Sequence, residues 1–213
     1  MSVVPHLPVL LAYTPATLLL AATPGPDMAL FLSRTLQGGR RDGLAALSGA
    51  TVGILIHTGA AAFGLSALLA ASPNAYGAVR VAGALYLLWL AYGALRHGAA
   101  LRLDGGEGAA GGFRDSFATG LLINLTNPKV ILFFVTFLPQ FVDAGDADAS
   151  GKFAFLGLYS IVLGGMLNAG IILMAARVAA SVRARPRALR MFDFGFAGLM
   201  AAFSARLLWA AGR

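Results

Sequence analysis

Residues 116–142, from Ser116 to Val142, read SFATGLLINLTNPKVILFFVTFLPQFV. This run exceeds the roughly 20 apolar residues that an α-helix needs to cross a hydrocarbon core of about 30 Å. Its middle departs from that pattern. Asn124-Leu125-Thr126-Asn127-Pro128-Lys129 places amides, a proline and a cation where a spanning helix is normally most apolar. Proline has no N–H and its ring clashes with the carbonyl four residues back, so Pro128 frees the Asn124 carbonyl and interrupts the helix. A cation at this depth costs about 2.5–3.5 kcal/mol on insertion scales, and such residues face a bundle interior or a water-filled cavity. Snorkelling to an interface is the competing use of Lys129, but much of the run lies on either side of it. The stretch is therefore expected to be a broken membrane helix with its polar centre turned inward.

Five further apolar runs surround it, at approximately 8–33, 43–70, 74–95, 153–177 and 190–210. With 58% hydrophobic and 12% charged residues and a mean hydropathy of +0.77, the chain lacks the polar shell of a soluble domain, which has about 25% charged residues. A spanning segment must satisfy its own backbone in lipid, so the runs are expected to be helices; barrel strands would be about ten residues with alternating polarity. The fold class expected is an all-α integral membrane protein of six transmembrane helices. The N-terminal Met1-Ser2-Val3-Val4-Pro5-His6 carries no cationic region, and the first run is too long for a signal-peptide core.

Charge sets the orientation. Arg34, Arg40, Arg41, Arg96, Arg102, Arg114, Arg177, Arg183, Arg185, Arg187 and Arg190 fall in alternate connections, which share one side. The other side has only Arg80, Lys152, Arg206 and Arg213, with the acidic turn Asp143, Asp146 and Asp148. The positive-inside rule places the first set in the cytoplasm and both termini outside. A net charge of +7 is thus accounted for by topology rather than by nucleic acid, which is not an expected partner. With no cysteine, disulfides, thiolate metal sites and thiol relays are excluded.

A linker over 96–115, Gly/Ala-rich from Gly98 to Gly112, divides the single domain of 1–213 into halves at 8–95 and 116–210. Each half has three runs, so the second enters the membrane from the opposite side, as inverted repeats do. The first run contains the matching interruption, Thr23-Pro24-Gly25-Pro26-Asp27. Pro24 and Pro26 deprive the carbonyls of Leu20 and Ala22 of their donors. Asp27 is expected to cap the helix that resumes, either as a cap alone or as a cap that also lines a solute or proton site. Paired breaks at equivalent places in two halves point to a transporter's binding site. Pro24, Gly25, Pro26, Asp27, Asn124, Asn127, Pro128 and Lys129 are the candidate substrate-binding residues, and Asp27 is the candidate for proton coupling. A zwitterion suits them: its carboxylate at Lys129 and exposed N–H groups, its ammonium at Asp27 and freed carbonyls. A structural Asp27–Lys129 ion pair is the competing arrangement.

Gly49, Gly53, Gly59, Gly64, Gly164 and Gly165 are expected at helix contacts, and His57 and Asn168 in interhelical hydrogen bonds. No Walker motif, HExxH or Ser/His/Asp set occurs at plausible depth, so neither ATP hydrolysis nor proteolysis has an apparatus. No enzyme activity, metal or cofactor is expected.

The Pro-Gly-Pro-Asp block ending at Asp27, the glycine-spaced second helix and above all the block from Phe117 through Asn127-Pro128-Lys129 to Leu138-Pro139-Gln140-Phe141-Val142-Asp143 resemble the lysine-exporter and homoserine/threonine-resistance (LysE/RhtB) family. The resemblance covers roughly residues 8–210, though the last two helices match only in hydrophobicity and spacing. It carries over Pro24, Gly25, Pro26, Asp27, Asn127, Pro128 and Lys129 as motif residues. It implies a secondary transporter in a bacterial inner membrane that exports amino acids or close derivatives, driven by a membrane gradient. Proton antiport is the expected coupling, the amino acid and the lipid bilayer are the expected partners, and a homo-oligomer is compatible. A transporter of cations, metals or another small solute is the alternative; an intramembrane enzyme or assembly factor is more remote.

Overall fold

A computed structural model of the chain describes residues 3–67, 73–97, 111–143, 146–177 and 186–211. The end of the second expected run (68–70), the Gly/Ala core of the linker (98–110), Arg102, Arg183, Arg185 and Arg213 lie outside the described residues. Those described are helical at every expected run, with no strand among them. The elements are α1 (Leu7–Ala22), α2 (Pro26–Gly38), α3 (Arg40–Ala60), α4 (Pro73–His97), α5 (Gly112–Thr126), α6 (Pro128–Leu132), α7 (Ala149–Leu173) and α8 (Pro186–Ala211). Beyond its last residue α3 widens into a π-helical turn at Ala61–Leu65. α6 does the same at Phe133–Phe137 before tightening to a 3₁₀ turn at Leu138–Phe141.

Proline opens both resumed helices. Pro26 and Pro128 each occupy the first helical turn, where the missing N–H would have no partner anyway. α1 and α2 bend by 54° at their break, and α5 and the helical stretch Pro128–Phe141 bend by 50° at theirs. Gly39 turns α2 into α3 with φ of 82°, a left-handed value that glycine adopts without a Cβ penalty.

By length and composition Arg40–Leu65 and Ala149–Leu173 are each sufficient to cross a bilayer, and the two bent pairs raise the number to four if each is one crossing. α4, of 25 residues, and α8, of 26, are each long enough for a crossing.

Packing is led by α3, which lies against α2, α5 and α7. Its crossing with α5 is close because both backbones are bare: a Cβ at Gly49 would stand 2.0 Å from the Phe117 carbonyl oxygen, and one at Gly120 2.1 Å from that of Ala46. α1 packs on α7, and α4 on α8, where Ser204 Oγ donates to the Ala84 carbonyl at 2.8 Å. An aromatic core of Tyr13, Phe133, Phe134, Phe137 and Phe153 joins α1, the π turn after α6 and α7. The wholly buried Tyr13 hydroxyl donates to the Leu156 carbonyl at 3.1 Å and lies 2.5 Å from Ser160 Oγ.

Candidate functional site

The two breaks meet. Where Pro128 cannot serve the Asn124 carbonyl, the N–H of Asn127 does so at 3.2 Å, closing α5 one residue early. Asn127 then stands as the N-cap of α6, its Oδ1 accepting from the Lys129 N–H at 3.0 Å. Its Nδ2 is left free to reach the other half of the chain, and it donates to Asp27 Oδ2 at 2.8 Å. Asn124, one turn earlier in α5, donates to the same oxygen at 3.2 Å. Both asparagines are almost completely buried, at 1% and 2% exposure, so the two amides are committed to this carboxylate.

The reciprocal contact runs the other way. Pro24 removes the normal donor of the Leu20 carbonyl, which accepts instead from the Thr23 N–H at 3.2 Å and from Lys129 Nζ at 3.3 Å. Lys129 Nζ also donates to the Thr23 carbonyl at 2.9 Å. A cation thereby sits at the carbonyl end of α1, where the helix dipole favours it. Gly25 makes room for it: a Cβ there would lie 3.3 Å from the ammonium nitrogen. Two of the three ammonium N–H bonds are used, leaving one.

Asp27 does not cap α2. The N-cap is Gly25, which makes no side-chain bond, and Asp27 Oδ2 is turned to the asparagines of the opposite break. Nor do Asp27 and Lys129 form a direct ion pair; the ion pairs among the described residues are Arg34–Asp115, at 2.6 Å, and Lys152–Asp146. Asp146 precedes α7, and the Lys152 ammonium in the first turn of that helix holds its carboxyl below the usual range. Asp27 Oδ1, Asn124 Oδ1 and His57 Nε2 are buried without a hydrogen-bond partner.

Asp27, Asn124 and Lys129 line a cavity of about 100 Å³ between α1, α2, α3, α5, α6 and α7. A single water needs roughly 10–15 Å³ on this measure, so the space admits a small solute or several waters. Asn127 stands behind Asp27, while Pro24, Gly25, Pro26 and Pro128 shape the backbone and do not line the cavity. Four polar side chains that also line it, Thr17, Thr51, Ser160 and Asn168, include three to which the sequence reading assigns no place. Ser160, Gly164 and Asn168 recur at the i, i+4, i+8 spacing of one helical face, a signal that would have found Ser160. The remaining wall is apolar, with Leu20, Met28, Phe31, Ile54, Phe133 and Phe134 prominent.

Other sequence expectations are revised by the packing. Gly53 is a true contact, its place for a Cβ lying 2.5 Å from Asn124 Oδ1, but Gly59, Gly64 and Gly165 have nothing within 4 Å, and Gly164 and Gly165 line the cavity. Asn168 bonds within its own helix, to the Gly164 carbonyl at 2.8 Å, rather than across helices. His57 stacks on Phe134 with ring centres 5.5 Å apart. Among the described residues no group of three or more His, Cys, Asp or Glu side chains could hold a metal ion.

No solved structure matches the chain. It is similar to a leucine efflux protein of Enterobacter sp. (strain 638), 29% identical over 92% of each chain. It is similar also to a homoserine/homoserine lactone efflux protein of Salmonella typhimurium, 28% identical over 88% of this chain and 90% of the relative. A threonine efflux protein of Salmonella typhi is 34% identical over 65% and 70% respectively. The profile of the LysE type translocator family matches residues 18–211. The chain belongs to the LysE type translocator family.

Proposed function

We propose that the chain is a secondary transporter of the bacterial inner membrane that exports amino acids or close derivatives from the cytoplasm, by proton antiport. The observation that carries this reading is the exchange of partners between the breaks, with Asp27 held by Asn124 and Asn127 and Lys129 held by Leu20 and Thr23, at the wall of one cavity. The efflux named in the three relatives supports the amino-acid class.

In this reading the third ammonium N–H of Lys129 holds the substrate carboxylate. The substrate ammonium is held by Asp27 and the hydroxyls and amide of Thr51, Ser160 and Asn168, and its side chain meets the apolar wall. A proton arriving at Asp27 competes with that ammonium for the same charge, which makes exchange of one for the other the natural stoichiometry. The buried Oδ1 supports the assignment: an unpartnered charged oxygen costs more than the about 1–3 kcal/mol of an ordinary buried orphan, and a proton relieves it.

The halves at 8–95 and 116–210, joined through 96–115, act as inverted repeats of three crossings each, with α4 and α8 as the third and sixth. Three features support this. Asp27 and Lys129 each directly follow the proline that opens a resumed helix. α1 packs on α7 as α5 packs on α3. The third helices of the halves, α4 and α8, pack on one another. Arginine bias places both termini outside.

Efflux from cells preloaded with a panel of labelled amino acids, with and without expression of the chain, tests the substrate class. Accelerated loss of at least one amino acid is expected. Unchanged loss of all, at verified membrane expression, contradicts it.

A further inference from the structure

At the end of the bundle opposite the aromatic core, the turn from α2 to α3 and the last turn of α7 enclose a groove of about 500 Å³ that no step of transport uses. Two guanidiniums line it from different elements: Arg40 at the start of α3 and Arg177 beyond the end of α7. Arg40 Nη2 is steadied by the Leu173 carbonyl at 3.2 Å, which leaves its remaining N–H groups to point elsewhere. Arg177 is exposed and has no protein partner among the described residues. Among the described residues no carboxylate lines the groove. The rest of its wall is apolar or small, and Leu36, Leu173 and Met174 stand about half exposed, at 46%, 50% and 51%.

A water-facing anion site would have no use for three half-exposed apolar side chains beside its cations. A lipid needs both, a phosphate at the level of the guanidiniums and an acyl chain along the apolar wall. Arg34, Arg41 and Arg190 mark the same end as the arginine-rich, cytoplasmic one, and basic pockets between helices on that side suit anionic headgroups. The nearby Arg34 and Arg41 are otherwise engaged, Arg34 with Asp115 and Arg41 over the Phe113 ring. We propose that the Arg40–Arg177 groove is a binding site for an anionic phospholipid of the cytoplasmic leaflet, its phosphodiester bridged by the two guanidiniums and one acyl chain lying over Leu36, Leu173 and Met174.

The full chain, purified in detergent and stripped of lipid, is titrated with phosphatidylglycerol, phosphatidylethanolamine and inorganic phosphate, and bound species are counted by native mass spectrometry. Each arginine near an anionic headgroup contributes about fivefold, so phosphatidylglycerol is expected to bind about 30-fold more tightly than phosphatidylethanolamine. Arg177→Gln, which breaks no bond within the protein, lowers the preference about fivefold, and Arg40→Gln with Arg177→Gln removes it. Arg190→Gln, on α8 and outside the groove, leaves it unchanged. Equal binding of the two lipids, a preference that survives the double substitution, or displacement of the lipid by an equal concentration of inorganic phosphate would each overturn the site.

Discussion

Lys129 Nζ donates to the Thr23 carbonyl at 2.9 Å across the two helix breaks, so a side chain that opens α6 completes the end of α1. This contact gives Lys129 a structural duty beside its proposed role with the substrate. Lys129→Ala leaves the Thr23 carbonyl and part of the Leu20 carbonyl unsatisfied, at about 1–3 kcal/mol for each buried group. It is expected to lower the melting temperature in detergent as well as abolish efflux. An unchanged melting temperature would show that water replaces the ammonium without cost.

Asn127 serves both folding and transport. Its Oδ1 caps α6 and its Nδ2 holds Asp27, two duties that serine can only half perform. Asn127→Ser keeps the cap, because serine caps as well as asparagine, and is expected to cost about 1.5–3 kcal/mol of stability for the lost bond to the Asp27 carboxylate. Efflux should fall at least about tenfold, the value of a hydrogen bond to a charged group. Thermal melting and labelled efflux on the same preparation check both halves of the statement.

Glycine substitutions distinguish contact from open space. Gly49→Ala puts a Cβ 2.0 Å from the Phe117 carbonyl oxygen, where backbone must move, and is expected to cost about 1–3 kcal/mol. Gly59→Ala, a few turns along the same helix, meets nothing and gains helix propensity worth up to about 1 kcal/mol. Melting of the two variants in detergent should move in opposite directions.

Tyr13→Phe keeps the ring in the aromatic core and removes only the hydroxyl. Ser160 Oγ still donates to the Leu156 carbonyl at 2.9 Å, so the acceptor is not orphaned. The cost should lie near about 0.5 kcal/mol, the low end for a hydrogen bond, and Tyr13→Phe with Ser160→Ala should cost less than the two single changes together, because each alone already removes their mutual bond. Chemical denaturation of the four proteins measures the coupling.

The backbone of this fold was legible where the chemistry is local. The structure interrupts α1 at Thr23–Gly25 and α5 at Asn127, where Pro24, Pro26 and Pro128 remove donors, while the single Pro15 is accommodated within α1. Even the orphan carbonyl of Leu20 follows from Pro24 alone. Its partner does not, because nothing near residue 20 identifies a lysine more than a hundred positions away. The same limit hid Ser160, Thr17 and Thr51: a hydroxyl in an apolar helix also satisfies itself on its own backbone, as Thr51 Oγ1 does with the Leu47 carbonyl. The π turns at Ala61–Leu65 and Phe133–Phe137 left no mark in composition; in the structure both contribute residues to the core around Tyr13. α4 and α8 were legible as helices of spanning length, at 25 and 26 residues.

The measurement that tests the central claim most directly is proton-driven efflux from proteoliposomes loaded with a labelled amino acid, comparing the parent chain with Asp27→Asn at equal reconstitution. An inward-directed proton gradient should accelerate efflux through the parent chain and have no effect on the variant, whose amide cannot carry the proton. Equal, gradient-accelerated efflux by both proteins would contradict the assignment of Asp27 and, with it, the reading of the two breaks as one site.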